Sequence, residues 1–240
     1  MKIIMTAVNY EAIWTDVWGD MQRYGPVHRH HRRIFSEMIR QIPREHIRTV
    51  ADIGCGEGSN LFYLKQEFPR ANLYGFDVSI NAIKQAKRLL DAEFAVINIE
   101  YDYPEKSFDF VISSDVIEHI VDDDTALRNI YKITNKYALI ATVQGRMRSF
   151  EKSIGHIRSY DYGEFPAKMS SVGFKIEQIV EWGFPFFSPI YRSMFDMVAV
   201  ESVSHGHYGM TKRVICQALY ALFALNRHNR GDVIFVLASK

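Results

Sequence analysis

A short glycine-rich stretch constrains the fold of this chain more than any other segment. The mostly apolar run 49–53 leads directly into Gly54, Gly56 and Gly58, with one residue between successive glycines. Glycines at these positions let backbone N–H groups approach a ligand at distances where any Cβ atom would collide. A glycine turn between a buried strand and a helix is typical of a ligand-binding edge of a parallel sheet.

A carboxylate follows at the end of the next apolar run. A second strand is predicted over 72–76, and it ends at Asp77. An acid at this position is placed to accept two hydrogen bonds from a ribose diol. The alternative is that Asp77 caps the helix that begins near Ser79. The glycine turn and Asp77 together predict a nucleoside pocket at the carboxyl ends of the strands.

The glycine spacing excludes two common phosphate-binding motifs. A P-loop requires Gly-Lys-Ser/Thr, whereas Gly58 is followed by Ser59 and Asn60. A dinucleotide-binding turn places its third glycine deeper in the helix, and Asp52 would set a negative charge beside a pyrophosphate. A ligand with a cationic group fits Asp52 better.

From residue 49 onward, short apolar strands alternate with helical segments. This alternation is typical of βαβ units and an α/β fold with a parallel sheet. Seven strands are predicted, at 49–53, 72–76, 93–97, 108–113, 137–142, 175–180 and 232–238. Helices are predicted at 34–42, 59–67, 79–90, 123–132 and 211–225.

Residues 1–46 are predicted to form a helical appendage to a domain of residues 47–240. The appendage contains Trp14, Trp18 and the basic run 28–33. The tryptophans favour a lid over the pocket. The basic run is interpreted as a solvated face, with a phosphate-binding surface as the alternative.

Composition excludes several classes of protein. The chain has 240 residues, 48% of them hydrophobic, which is enough for one core. A formal net charge of +1 gives no global field to attract nucleic acid or membrane. The two cysteines, Cys55 and Cys216, cannot form a disulfide framework. No apolar run reaches the roughly 20 residues of a transmembrane helix, and a cytoplasmic protein is expected.

The sequence Asp-Ile-Gly-Cys-Gly-Glu-Gly at 52–58 resembles motif I of the class I S-adenosylmethionine (SAM)-dependent methyltransferases. The resemblance covers roughly residues 47–183 strongly and the rest weakly. It implies a Rossmann-like, seven-stranded, mostly parallel sheet, with the last strand antiparallel between the fifth and sixth. It also implies SAM as cofactor and S-adenosylhomocysteine (SAH) as product. The implied cofactor-binding residues are Asp52, Gly54, Cys55, Gly56, Asp77, Val78, Asn98, Ile99 and Ser114.

Several of these positions have an alternative role. Asn98 could hold a turn instead of receiving the adenine amino group. Asp52 could organise the glycine turn instead of meeting the methionyl ammonium. Ser114 directly follows the predicted fourth strand, whose end faces the sulfonium in the family.

Two histidines are candidates for the general base that a hydroxyl acceptor requires. His119 follows the fourth strand, and His156 lies in the long loop after the fifth strand. The alternative for Glu118-His119 is a hydrogen-bonded pair that ties this segment to the glycine turn. The alternative for His156 is loop packing, and the nearby Arg158 and Tyr160 are either acceptor-pocket residues or loop anchors.

Asp115, Glu118, His119 and His156 also suggest a metal site. They resemble the acidic-x-x-Glu-His motif with a distal histidine of ubiquinone-biosynthesis O-methyltransferases and small-RNA 2′-O-methyltransferases, where a divalent ion positions two acceptor oxygens. Asp115 is shorter than the glutamate of the metal-dependent members, and the Glu-His pair is also widespread in relatives not known to use a metal. A site without metal is therefore favoured.

The resemblance and these residues predict SAM-dependent methyl transfer to a small molecule. The expected acceptor is a hydroxyl of a sugar, lipid-linked intermediate or secondary metabolite, because histidine bases are available. The Asn-Pro-Pro-Tyr/Phe motif of many N-methylating relatives is replaced by Ser-Ser-Asp-Val at 113–116. Two alternatives remain: an RNA 2′-O-methyltransferase, which needs a basic groove, and a SAM-binding protein without transferase activity.

Two apolar segments outside these motifs have no assigned chemistry. The aromatic cluster at 182–187 is either an acceptor wall or core, and the helix at 211–225 is expected to cover the sheet.

Overall fold

One seven-stranded sheet organises the molecule. The structure is a computed structural model that describes residues 11, 14, 19–194 and 207–240. The strands are β1 (Thr49–Ile53), β2 (Asn72–Asp77), β3 (Glu93–Val96), β4 (Phe108–Ser114), β5 (Thr134–Val143), β6 (Lys175–Trp182) and β7 (Val233–Ser239). All seven predicted strands are present. The largest difference is at β5, which begins at Thr134 instead of residue 137.

The strand order is β3-β2-β1-β4-β5-β7-β6. Strands β1 to β5 pair in parallel, and β7 runs antiparallel to both β5 and β6. This arrangement confirms the Rossmann-like sheet and the position of the last strand. Because β1 and β4 are neighbours while the chain crosses over from β3 to β4, the carboxyl ends of β1 and β4 flank a crevice.

Helices follow most of the strands. They are α1 (Gly19–Tyr24), α2 (Pro26–Ile39), α3 (Ser59–Glu67), α4 (Ile80–Leu89), α5 (Asp123–Ile133), α6 (Ser149–Ser153), α7 (Glu164–Ser171), α8 (Arg192–Met194) and α9 (Met210–Phe223). Short 3₁₀ turns lie at Arg44–His46 and Ile117–His119, and a π-helix lies at Phe187–Tyr191. None of the helices in the described ranges is long and apolar enough to cross a bilayer.

Two hydrophobic clusters lie on opposite faces of the sheet. Along β4, Phe110 and Ile112 belong to one cluster, whereas Val111 belongs to the other. This division follows from the two-residue period of a strand. The first cluster includes Phe35 of α2, and the second includes Leu127 of α5, so both faces are covered.

The predicted start of the N-terminal helix is wrong. Helix α2 begins at Pro26, where proline is favoured in the first turn, and not at residue 34. The basic run 28–33 is therefore helical. Its His30 and His31 are buried, so the run is not simply a solvated face.

The helix predicted at 211–225 is present as α9, and its Phe223 ring meets the ring of Trp182 in β6 at a centroid distance of 6.1 Å. Helix α9 packs on α2, where the His30 ring stacks on Tyr220 at a centroid distance of 4.3 Å. The His30 Nε2 atom lies 2.9 Å from the Tyr220 carbonyl oxygen. Most of the outer side of α9 is exposed.

Candidate functional site

The glycine turn after β1 requires glycine at all three positions. Gly54, Gly56 and Gly58 have φ values of +74°, +53° and +89°, in the left-handed region that favours glycine. A Cβ atom on Gly54 would lie 2.2 Å from Cγ2 of Val116. The Gly54 N–H donates to the Phe76 carbonyl at 2.7 Å, which fixes the turn against the end of β2.

Asp77, the last residue of β2, connects the glycine turn to the start of α4. The Gly56 N–H donates to Asp77 Oδ2 and the Ser79 N–H donates to Oδ1, both at 2.9 Å. Burial raises the pKa of Asp77, although these two N–H groups act in the opposite direction. Each carboxylate oxygen retains capacity for a further donor. Helix α4 is capped by Ser79, whose Oγ accepts from the Ala82 N–H, so the capping role does not fall to Asp77.

Two residues of the N-terminal segment lie against this turn. The Trp14 ring covers Gly56, where a Cβ atom would lie 2.4 Å from Cη2 of Trp14. The Glu11 carboxylate accepts the Ile80 N–H at 2.7 Å at the start of α4. Trp14 thus lies where a lid would lie, whereas Trp18 is outside the described residues.

Asp52 lies behind the glycine turn and does not line the cavity. Its side chain is fully buried, and neither carboxylate oxygen has a hydrogen-bond partner among the described residues. Burial, together with the nearby charge of Asp77, raises the pKa of Asp52 well above its usual range. The folded state therefore disfavours the ionised form of this carboxyl group.

Replacing Asp52 by asparagine is expected to stabilise the protein progressively as the pH rises above about 4. In the unfolded chain Asp52 ionises above its ordinary pKa, whereas the folded state disfavours the ionised form, so wild-type stability falls with rising pH by up to about 1.4 kcal/mol per pH unit. Asparagine does not ionise, so the variant lacks this loss of stability with rising pH. Thermal unfolding of both proteins at pH 5 and pH 8 measures the difference in stability. The variant should be more stable relative to wild type at pH 8 than at pH 5. An equal difference at the two pH values would contradict a raised pKa of Asp52.

A cavity of 620 Å³ opens at the carboxyl ends of β1, β2 and β4. This volume is within the usual range for small-molecule sites. It brings together most of the predicted cofactor residues: Gly54, Cys55, Gly56, Asp77, Val78, Asn98, Ile99 and Ser114. Asn98 Oδ1 also accepts the Glu100 N–H at 3.0 Å, so this side chain holds a turn as well as lining the cavity.

A second group of polar residues lies beyond β4. Glu118, His119 and His156 each offer a ligand atom, and these atoms lie within 4.8 Å of one another. The two imidazole rings meet edge to face at 4.7 Å. Glu118 Oε2 accepts from Thr142 Oγ1 at 2.9 Å, so Glu118 ties this segment to β5 and not to the glycine turn. Glu118 Oε1 and His156 Nδ1 are buried without partners in the described part of the chain.

Burial controls the protonation of this group. It raises the pKa of Glu118 to about 8, with a further contribution from Asp115. It lowers the pKa of His156 to about 3, with a further contribution from His119, and it also lowers the pKa of His119. Both imidazoles are therefore neutral at physiological pH. A neutral imidazole can accept a proton or bind a metal ion.

Asp115 does not join this group. It is the one non-glycine residue with positive φ, at +57°, among the residues that the structure describes. Its Oδ2 accepts from Ser114 Oγ at 3.0 Å and lies 3.4 Å from His31 Nδ1. Burial acts to raise the pKa of Asp115, but His31 and His28 more than offset this and hold it below its usual range. His31 was missed as a site residue, although its spacing to Ile34 and Phe35 indicates one helix face.

Two other candidate residues, Arg158 and Tyr160, anchor the loop after β5. Arg158 donates to the Ile120 and Val121 carbonyls at 2.7 and 2.6 Å. The Tyr160 hydroxyl donates to Asp123 at 2.8 Å, and neither Arg158 nor Tyr160 lines the cavity.

The outer wall of the cavity is mostly apolar. It is formed by Phe150, Ile154, Phe187, Tyr191, Ile215 and Leu219. Of the aromatic cluster at 182–187, Trp182 is core and Phe187 contributes to this wall. Arg192 also lines the cavity, but its guanidinium is paired with Glu151 and Asp232.

This chain is similar to known proteins in sequence and in fold. Residues 51–141 match a family model described as a methyltransferase domain. Trans-aconitate 2-methyltransferase of Afipia carboxidovorans is 32% identical over 95 residues, which are 39% of this chain and 37% of that protein. The chain thus matches well under half the length of this curated relative.

Two solved structures share the fold over nearly the whole chain. One is a chain of a complex that contains the Haloferax volcanii Trm112 methyltransferase activator, with a TM-score of 0.63 and 17% identity over 96% of this chain and 97% of that one. The other is magnesium protoporphyrin IX methyltransferase of Synechocystis PCC 6803 with bound SAM, with a TM-score of 0.59 and 13% identity over 98% and 92%. Residues 51–141 therefore resemble a methyltransferase domain, and the chain shares a Rossmann-like fold with these solved structures.

Proposed function

We propose that this protein transfers a methyl group from SAM to a hydroxyl of a small molecule with an apolar body. The observation that carries the proposal is that one cavity joins the two halves of such a site. Gly56 and Asp77 line its cofactor side, and His119 and His156 line its acceptor side. Asp77 would bind the ribose, and the glycine turn would pack against the methionyl part of the cofactor.

The reaction requires positioning, exclusion of water and removal of one proton. The acceptor oxygen attacks the methyl carbon in line with the carbon–sulfur bond, which breaks to leave neutral SAH. The acceptor proton passes to the neutral imidazole of His156, with His119 packed against its ring. Burial of this group excludes water and strengthens these interactions.

The cavity favours an acceptor without carboxylates. Its wall is apolar, and the Arg192 guanidinium is already neutralised by Glu151 and Asp232. The Lys212 ammonium lies over the Tyr208 ring, 3.9 Å from its centroid. No spare arginine is thus available among the described lining residues for a polycarboxylate, the type of acceptor for which the A. carboxidovorans relative is named.

The residues present also fit a divalent metal ion. Glu118 Oε1 and His156 Nδ1 are buried without partners, and with His119 they form a mixed oxygen and nitrogen donor set. A bound ion would act as a Lewis acid on the acceptor oxygen. Asp115 is turned toward His31 and lies outside this donor set. We nevertheless propose methyl transfer without a metal ion, with His156 as the general base.

Titration of SAH into metal-stripped protein by calorimetry tests the proposed function. We expect micromolar binding without added metal, because the cofactor side of the cavity includes none of Glu118, His119 and His156. Binding only after a divalent ion is restored would assign the metal to cofactor binding. No binding in either condition would contradict the proposed function.

Two further measurements address the alternatives. An RNA 2′-O-methyltransferase should bind RNA in a salt-sensitive manner, because phosphate contacts release counterions. A SAM-binding protein without activity should have a closed acceptor side, whereas the cavity here is continuous across both sides. Turnover with hydroxyl acceptors under full chelation would separate the base mechanism from the metal mechanism.

A further inference from the structure

The outer side of α9 exposes a continuous apolar face. At roughly 100° per residue, five side chains fall within an arc of about 120°. They are Val214, Ile215, Ala218, Ala221 and Leu222, and all five are exposed. Val214 and Ile215 are 61% and 54% exposed, and Leu225 just beyond the helix is 66% exposed. A contiguous patch of this kind on a surface helix indicates a contact surface.

Positive charge borders this face, and negative charge is absent from its segment. Residues 207–231 contain Lys212, Arg213, Arg227 and Arg230 but no aspartate or glutamate. On the helical projection, Lys212 and Arg213 lie on the two sides of the apolar arc. An apolar face bordered by basic residues is typical of helices that lie in the interface of an anionic membrane.

The same helix forms part of the cavity wall. Lys212, Ile215, Cys216 and Leu219 line the cavity. Ile215 therefore belongs both to the cavity wall and to the exposed face. On the inner side of α9, Tyr191 of the π-helix packs on the buried Phe223 with ring centroids 5.0 Å apart.

We propose that α9 docks on an anionic lipid surface and that the acceptor is an amphiphile taken from that surface. The docking rests on the exposed face and its charge. The proposal of an amphiphilic acceptor rests on the proposed function, because it assumes that the cavity next to this face binds the acceptor.

Charge favours a lipid surface over a second copy of the chain. In a symmetric dimer through α9, the same patch meets itself. The basic residues of one copy would then approach those of the other, and residues 207–231 contain no acid of their own to compensate. Anionic headgroups are instead attracted by the positive charge of this segment, although Lys212 lies over the Tyr208 ring and Arg213 over the Tyr24 ring. The apolar arc would enter the headgroup–acyl boundary.

Cosedimentation of the full chain with vesicles tests the docking. We expect binding to phosphatidylcholine vesicles that contain phosphatidylglycerol, little binding to phosphatidylcholine alone, and weakening by salt. The variant Val214→Glu/Leu222→Glu should lose about tenfold or more in vesicle affinity. Val121→Glu, at a 72% exposed apolar position away from α9, should bind like wild type.

Three outcomes would overturn the proposal: no binding to anionic vesicles, equal binding by the α9 variant, or a dimer in solution that Val214→Glu/Leu222→Glu dissociates. SAH titration of the same preparations separates this proposal from the proposed function. The α9 variant should keep wild-type SAH affinity, which also verifies its fold. If the wild-type protein does not bind SAH, the proposed function is contradicted. The vesicle experiment then still tests the docking independently.

Discussion

Replacing His156 by alanine is expected to slow methyl transfer by about 10²–10⁴-fold, the usual contribution of a general base. The loss should appear in kcat, because the imidazole acts on the acceptor proton in the transition state. SAH affinity should be unchanged, because the proposed cofactor side of the cavity is formed by the glycine turn and Asp77. Single-turnover kinetics with SAH calorimetry on the same variant measures both quantities.

A histidine outside the cavity provides the matched control. His228 is partly exposed and lies 3.4 Å from a carboxylate oxygen of Glu37, so His228→Ala removes an imidazole with an acidic neighbour far from the reaction. We expect wild-type turnover from this variant. Equal losses of SAH affinity and turnover in His156→Ala would instead place His156 in the cofactor site or in the structural core.

Replacing Asp77 by alanine is expected to raise the Kd for SAH by about 10- to 150-fold. This corresponds to about 1.5–3 kcal/mol, the range for hydrogen bonds to a charged group. Part of the loss arises because the Asp77 carboxylate also accepts the Gly56 N–H and thereby holds the glycine turn. Asp77→Asn keeps one acceptor oxygen and should show a smaller loss. Calorimetry on the three proteins checks this order.

Asp109 is the matched control for Asp77. Asp109 lies near the start of β4, at the end of the strands opposite to Asp77. Its carboxylate also accepts a backbone N–H, that of Arg48, at 2.7 Å. Asp109→Ala therefore removes a comparable structural contact without touching the cavity. Unchanged SAH affinity in a folded Asp77→Ala protein, or an equal loss in Asp109→Ala, would show that Asp77 does not bind the cofactor.

The strands and the glycine turn were predictable because they depend on local physics. Alternating strand and helix patterns follow from hydrophobic periodicity, and the positive φ values of Gly54, Gly56 and Gly58 follow from a turn that excludes Cβ atoms. The start of α2 was harder to predict. His30 and His31 look like part of a solvated basic run, and only packing against Trp182, Tyr220 and neighbouring rings buries them.

The proposed acceptor side depends on contacts between distant parts of the chain. Glu118 meets Thr142 of β5, and His119 meets His156 across a loop whose path the local sequence does not determine. The assignment of Arg158 and Tyr160 as anchors depended on Asp123 and on carbonyl groups near residue 120 in the same way. Periodicity carries no information about such pairings.

The sequence by itself determined the seven strands, the glycine turn and the place of Asp77 at the end of β2, because a strand, a turn and a strand end are specified by neighbouring residues. The order of the strands came from the resemblance to a known family. Only the tertiary structure decided that Asp52 is buried without partners, that Asp115 faces His31, and that α9 presents its apolar face outward. The physical reason is that burial and charge pairing are properties of the assembled surfaces. They arise when residues far apart in the chain exclude water from one another.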